Sequence, residues 1–468
     1  MADSFTSAVM VALSIAALLT LLSALRKVKA RGEWNSAATF GAVMVASTAS
    51  CVELFVTYMG KWTMHRNAFK TVTWDVPSSA HQIMRLLALL CAVYVVVVFI
   101  IRLKRPNTPV NVPAVFFLLV ELVCAESALL HGDNPFRPLS LVFLAVVAVC
   151  TVAPRGLGIH IGVGTACLVA AIASGFTFAV QKDFSVFACT SDGTGSDKCG
   201  LMGFDFRGIM ENGNALAIYL AIAIPFIYIA FGSWEGPVLS GYVLCLIMLT
   251  GGRSGMGAGL LAFVVLLVMR PNIRKPIEAP ARTRLLYVLL AGLMAVGFAM
   301  PYMATDPAAY HGRAGLWILA KAALSDTATL IYGTGVLGWQ HVRDSGRIDP
   351  SASYSVHNEW LQVLYSSGLI GFVAFLAALG FLIWRARPNY SLVVGCVLVP
   401  VFMLGITERP WPIDTSDWMT WAIPAALLCY PASQRRSEQN SPPLQSRAKS
   451  VPVGAAGSGR RAGADVAG

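Results

Sequence analysis

The sequence predicts an all-α fold: a polytopic membrane helix bundle of about 12–13 transmembrane helices with one large outward loop. Three observations predict it. Apolar stretches long enough to cross a bilayer recur along the 468 residues. Only 13% of the residues are charged against 56% hydrophobic, and the mean hydropathy is +0.66, whereas a soluble domain carries about 25% charged residues. The Lys and Arg gather in a few clusters that follow odd-numbered apolar runs, the distribution expected of cytoplasmic loops. A soluble enzyme, a nucleic-acid-binding module and a disordered scaffold are thereby excluded. The formal net charge of +11 is mostly topological, so no nucleic acid partner is expected.

In chain order the apolar runs lie near 8–25, 37–59, 83–101, 112–130, 139–153, 157–180, 214–231, 238–250, 254–269, 285–303, 358–384, 391–407 and 416–431. The runs 139–153 and 238–250 are short for a hydrocarbon core of about 30 Å. A twelve-span version makes one of them re-entrant. With thirteen spans, five basic clusters share one side. They are Arg26 to Arg31, Arg102 to Arg105, Arg270 to Arg284, Arg385 with Arg387, and the six basic residues of the tail. That side reads as cytoplasm, and the N-terminus then faces outward. Met1–Met10 contains no Lys or Arg, which argues against a cleaved signal peptide.

Residues 1–431 therefore read as one integral membrane domain. Segments 60–82, 181–213 and 304–357 face outward, 304–357 being the main loop. Residues 432–468, rich in Ser, Pro, Gly and Arg, read as a disordered cytoplasmic tail. Of ten cysteines, eight sit in or beside apolar runs as small hydrophobes. Cys189 and Cys199 instead bracket a polar stretch of an outward loop, where a disulfide can persist. Asp192 to Asp197 reads as a Gly-rich turn rather than a calcium loop, since it lacks EF-hand spacing. Glu53, Glu121 and Glu126 fall within predicted spans, where acids are rare and costly. They read as partnered acids lining the interior, with acceptor contacts open to Glu53 and Glu126 in the outer half.

Four segments carry polar residues suited to chemistry, all at outward boundaries. Arg207 precedes Asn212 and Asn214, which are placed to cap the seventh span. Gly251-Gly252-Arg253-Ser254 interrupts two apolar runs, and an Arg so near lipid usually has a partner, often an anionic ligand. His311 and Arg313 open an amphipathic stretch in which Leu316, Leu319, Ala320, Ala323 and Leu324 recur at helical spacing. A helix N-terminus joined to a guanidinium suits a pyrophosphate. His357-Asn358-Glu359 starts the eleventh span, where the imidazole can titrate near neutrality and act as a general base.

Taken together, Arg207 with Asn214, Gly252-Arg253-Ser254, Arg313 with Trp317, Gly333-Thr334-Gly335 and His357-Asn358-Glu359 resemble the O-antigen ligase and O-antigen polymerase superfamily over roughly 200–375. That resemblance implies a GT-C-like fold with a large periplasmic loop in the bacterial inner membrane. It implies transfer of a glycan from a polyprenyl (undecaprenyl) diphosphate donor to an acceptor hydroxyl, without metal or other cofactor and with inversion. It assigns Arg253 and Arg313, and less directly Arg207, to the diphosphate, and His357 to the base. Asn358, Glu359, Asn214 and His311 become supporting or acceptor-contacting residues. A glycolipid such as lipid A-core is the expected acceptor, ahead of polymerase or protein O-oligosaccharyltransferase activity. From another class, a transporter or flippase of lipid-linked glycan predicts charged sites near the bilayer midplane instead.

Overall fold

The computed structural model describes residues 2–33, 64–66, 72–74, 110–135, 157–189, 199–210, 212–275, 279–310, 312–346, 355–386 and 390–410, with isolated positions between 82 and 104. The chain divides into residues 1–432 and 433–468, the second lying outside the described residues. So do the predicted spans 37–59, 139–153 and 416–431, together with Glu53 and the Asp192–Asp197 turn.

Helices dominate. In order they are α1 (Ala2–Ala30), α2 (Val112–Leu130), α3 (Leu157–Val180), the single turn α4 (Lys182–Ser185), α5 (Gly213–Phe231), α6 (Glu235–Leu249) and α7 (Arg253–Met269). There follow α8 (Pro280–Met303), α9 (Arg313–Ala323), α10 (Thr327–Tyr332), α11 (Gly338–Asp344), α12 (Glu359–Ala386) and α13 (Ser391–Leu404). Among the described residues, sheet is confined to two antiparallel hairpins, β1 (Met64–Arg66) with β2 (Val72–Trp74) and β3 (Val186–Ala188) with β4 (Phe204–Phe206). Among the described residues, α1, α2, α3, α5, α8 and α12 contain segments long and apolar enough to cross a membrane; α6, α7 and α13 are shorter apolar helices. The protein is thus a polytopic all-α membrane protein.

Burial sorts these helices. In α5, 83% of the apolar window is buried, against 22% in α8. A helix apolar on every side and covered on every side belongs at the centre of a bundle, and α5 packs against α3, α6 and α7 there. Small residues let it do so. A Cβ at Gly255 would lie 2.4 Å from Ala217 Cβ, and one at Gly164 would lie 3.3 Å from the Phe226 carbonyl oxygen, the close backbone approach typical of membrane helices.

Polar contacts then define two opposite ends. At one, Lys27 forms an ion pair with the buried Glu235. Beside it, Arg274 donates to Glu33 at 2.7 and 3.0 Å and to the Ala230 carbonyl at 2.6 Å. Burial alone would raise the Glu33 carboxyl, but hydrogen bonds and charge from Arg274 and Arg31 outweigh it and hold it low. Two predicted basic clusters therefore share this end. The starts of α5, α7, α9 and α12 and the ends of α6, α8 and α13 meet at the other.

Two expectations need correcting. The run 358–384 reads as one continuous span, but α12 breaks at Gly368 (φ 60°, ψ −168°). The carbonyls released by the break, on Tyr365 and Ser366, accept from the backbone N–H groups of Thr334 (2.9 Å) and Gly335 (3.0 Å). Ser127 of α2 in turn donates to the Gly333 carbonyl at 2.9 Å. Irregular backbone inside a membrane bundle survives only where protein satisfies it in this way. The glutamates also differ from the partnered pattern. Glu121 is buried, but its Oε1 has no hydrogen-bond partner among the described residues, and Glu126 lies on the exposed face of α2.

Candidate functional site

The site is built around the turn that follows α13. Residues Gly405 to Arg409 run beneath the start of α12, where Glu359 N–H donates to the Gly405 carbonyl at 3.0 Å. Asn358 is fully buried and sews three elements together. Its Oδ1 accepts from Leu361 N–H as the N-cap of α12, and its Nδ2 donates to the Gly297 and Ile406 carbonyls, all at 2.9 Å. This residue supports the site through the backbone. Glu359 is likewise buried, at 3% exposure.

His357 precedes that cap with a left-handed backbone, φ +55°. A non-glycine residue in this region costs of order 1 kcal/mol or more, so its surroundings must impose the conformation. They do so on both sides. Ser355 Oγ accepts from His357 N–H at 3.3 Å, and Gln362 Oε1 accepts from Val356 N–H at 3.1 Å. The buried Trp317 indole donates to the Val356 carbonyl at 2.9 Å. The imidazole is consequently aimed at the turn, with Nδ1 3.2 Å from Glu408 Oε2.

Arg313 arrives from a different direction. It is the first residue of α9, after Gly312 at φ +81°. One Nη donates to the Thr407 carbonyl at 2.6 Å, and the other forms an ion pair with Glu408 Oε1. The Glu408 side chain is 3% exposed, so its two oxygens are divided between a guanidinium and an imidazole out of water. Burial would raise this carboxyl, and the hydrogen bond from His357 and the charges of Arg313 and His357 outweigh burial, holding it below the ordinary carboxylate range. Two of the five guanidinium N–H donors are committed here; three remain for a ligand.

Arg253 is tied to the same turn by its neighbour. Ser254 Oγ lies 3.0 Å from Thr407 Oγ1, while Arg253 is exposed as the first residue of α7. The glycine ahead of it is required by packing. A Cβ on Gly252 would sit 2.8 Å from Ala217 Cβ and 3.1 Å from the Asn214 Cα and Oδ1, so the first turns of α5 and α7 abut. Asn212, rather than Asn214, caps α5, accepting from Ala215 N–H at 2.8 Å.

Arg207 stands apart from this group. Its guanidinium lies over the Phe187 ring, 3.2 Å from the centroid, with Nε 3.8 Å from Asp205. Asp205 is buried and its other oxygen accepts from Gly251 N–H at 3.1 Å. Arg207 thus braces the glycine turn through Asp205, and the structure does not place it on the Glu408 turn. The Cys189–Cys199 disulfide is formed, with Cα atoms 5.8 Å apart. His311 lies outside the described residues. Among the described residues no group of three or more His, Cys, Asp or Glu is placed to hold a metal ion.

Glu408 is the residue that sequence reasoning missed. Its signal was available: a carboxylate between Thr407 and Arg409, directly after the apolar run 391–407. Chemically, the turn gathers the Arg313 guanidinium and one imidazole whose Nε2 has no partner among the described residues, with Arg253 adjoining the Ser254 that reaches Thr407. Residues 238–376 match a family model described as O-Antigen ligase. The matched segment contains Arg253, Arg313, the Gly333-Thr334-Gly335 loop and His357, and excludes Arg207 and Glu408. No curated protein and no solved structure matches the chain.

Proposed function

We propose, from the match of residues 238–376 to the O-Antigen ligase family model, that the protein transfers a glycan from a polyprenyl diphosphate carrier to an acceptor hydroxyl. The observation that carries this reading is the meeting of Arg313 and His357 on one turn, with Arg253 brought alongside by Ser254. Arg253 and the remaining donors of Arg313 bind the diphosphate and stabilise the charge that develops as it leaves. His357 Nε2 takes the proton of the attacking hydroxyl. Displacement is direct and inverts the anomeric carbon, with guanidinium groups serving where other transferases use a metal ion.

The two ends of the bundle support a membrane placement. Lys27, Arg31, Arg270, Arg274 and Lys275 gather at the end opposite this site, and by the positive-inside rule we read that end as cytoplasmic and the site as periplasmic in a multi-pass inner-membrane protein. We assign a glycolipid acceptor, lipid A-core in type, and read the activity as ligase rather than polymerase or protein O-oligosaccharyltransferase.

Purified protein in lipid nanodiscs, given labelled lipid-linked glycan and candidate acceptors, tests the reading. His357→Ala lowers transfer by roughly 10²–10⁴-fold, the usual contribution of a general base. Full activity in that variant removes the base assignment. Arg253→Ala weakens donor binding, and unchanged binding removes the diphosphate role. A flippase of lipid-linked glycan is the second reading, favoured by the buried Glu121 midway along α2. It predicts donor translocation without transfer in the same assay.

A further inference from the structure

We propose that Glu408 is the positioning residue of this site, holding His357 with its proton on Nδ1 so that Nε2 is free to accept one from the acceptor hydroxyl. The proposal rests on the reading of His357 as the base. An ionised carboxylate only accepts hydrogen bonds, so an imidazole nitrogen pointing at it must carry the N–H. Nδ1 is the nitrogen that points at it, 3.2 Å from Oε2. The opposite oxygen is taken by Arg313, and in both contacts the Glu408 side is buried while its partner is partly exposed. That division prevents the carboxylate from rotating away from either partner.

The surrounding charges keep Glu408 ionised. Arg313 faces it from α9 and His357 from the segment ahead of α12. Arg409 adjoins it in the chain, Arg253 leads the helix whose Ser254 reaches Thr407, and Glu359 lies two residues past His357. Nearby cations outnumber nearby anions, in keeping with a carboxyl held below its ordinary range. During transfer the acceptor oxygen bonds to the anomeric carbon. The anomeric carbon–oxygen bond to the diphosphate breaks with its electron pair on the diphosphate, and the acceptor proton passes to Nε2. The imidazolium so formed sits against the Glu408 charge, which stabilises it. The same carboxylate sets the angle of the Arg313 guanidinium that receives the leaving group. One acid thus aligns base and anion site.

Glu408→Gln separates positioning from folding. An amide can present its oxygen to Arg313 only by turning its NH₂ to His357, which forces Nδ1 to accept and moves the proton to Nε2. We expect ¹⁵N-histidine NMR of the full chain in nanodiscs, with His357→Ala assigning the signal, to report an Nδ1–H tautomer. In Glu408→Gln it reports Nε2–H. Transfer by Glu408→Gln falls by about 10²-fold or more with donor affinity kept, and the base limb of the pH–rate profile moves to lower pH. Glu408→Asp retains the charge and leaves that limb in place with a smaller loss. An Nε2–H tautomer in the unaltered protein, an unchanged tautomer in Glu408→Gln, or a limb moved equally by Asp and Gln overturns the proposal. If His357→Ala is fully active, the base reading falls, while the tautomer result still decides the role of Glu408. If His357→Ala is inactive and Glu408→Gln matches the unaltered protein, only the positioning role falls.

Discussion

Replacing Gly333 by Ala tests the junction that holds the segment between α10 and α11 to α12. Gly333 has φ +78° and ψ −172°, and Gly368, which it meets, has φ +60° and ψ −168°. Both lie in a region open essentially to glycine alone, where another residue costs of order 1–3 kcal/mol. A Cβ on Gly333 would also sit 2.4 Å from the Ser366 carbonyl oxygen and 2.5 Å from Gly368 N. Those atoms are backbone and cannot swing aside as a side chain does. Overpacking of this kind adds about 1–3 kcal/mol, for a total of roughly 2–6 kcal/mol. Relief requires Gly333 to withdraw, which also strips Thr334 and Gly335 from the Tyr365 and Ser366 carbonyls. The assay is thermal unfolding of purified protein in one detergent, with Gly292→Ala as the control. Gly292 lies within α8 with nothing within 4 Å of the added methyl, so that change is neutral or favourable on helix propensity. Equal unfolding temperatures for the two variants would refute the steric reasoning.

Acid should loosen the site. Glu408 has a lowered pKa in the folded protein, so its stabilising contribution is present above the unfolded carboxylate value of about 4.3 and disappears as pH falls through the lower folded value. The stability difference between the unaltered protein and Glu408→Gln should accordingly shrink across that acid range, and a difference independent of pH would count against it. The Cys189–Cys199 bridge closes a loop of sequence separation 10, for which chain entropy gives about 3 kcal/mol. Reductant should lower the unfolding temperature of the unaltered protein and leave a Cys189→Ser/Cys199→Ser variant unmoved; equal responses would show that the bridge contributes nothing.

The helices were legible because a membrane span is a local property. The predicted runs 112–130 and 157–180 coincide with α2 and α3, and 214–231 and 254–269 differ from α5 and α7 by one residue. Arg253 and His357 were legible for a related reason: each interrupts or borders an apolar run, so its cost in lipid flags it before any partner is known. Arg313 was legible instead as the head of an amphipathic stretch in the loop 304–357. The amphipathic repeat from Leu316 likewise located α9. What stayed hidden were partners. Arg207 belongs with Phe187 and Asp205, and Gly368 breaks a run whose composition reads as continuous.

By itself, then, the sequence determined that this is a helical membrane protein, where the apolar helices among its described residues run, and which residue types border them. Burial of apolar surface is summed along the chain, so a window of about twenty residues is enough to read it. Only the tertiary structure decided that Arg313 and His357, 95 and 51 positions from Glu408, share its two oxygens. A hydrogen bond acts over about 3 Å and within a narrow angle, and no local pattern encodes which distant chain segments come that close.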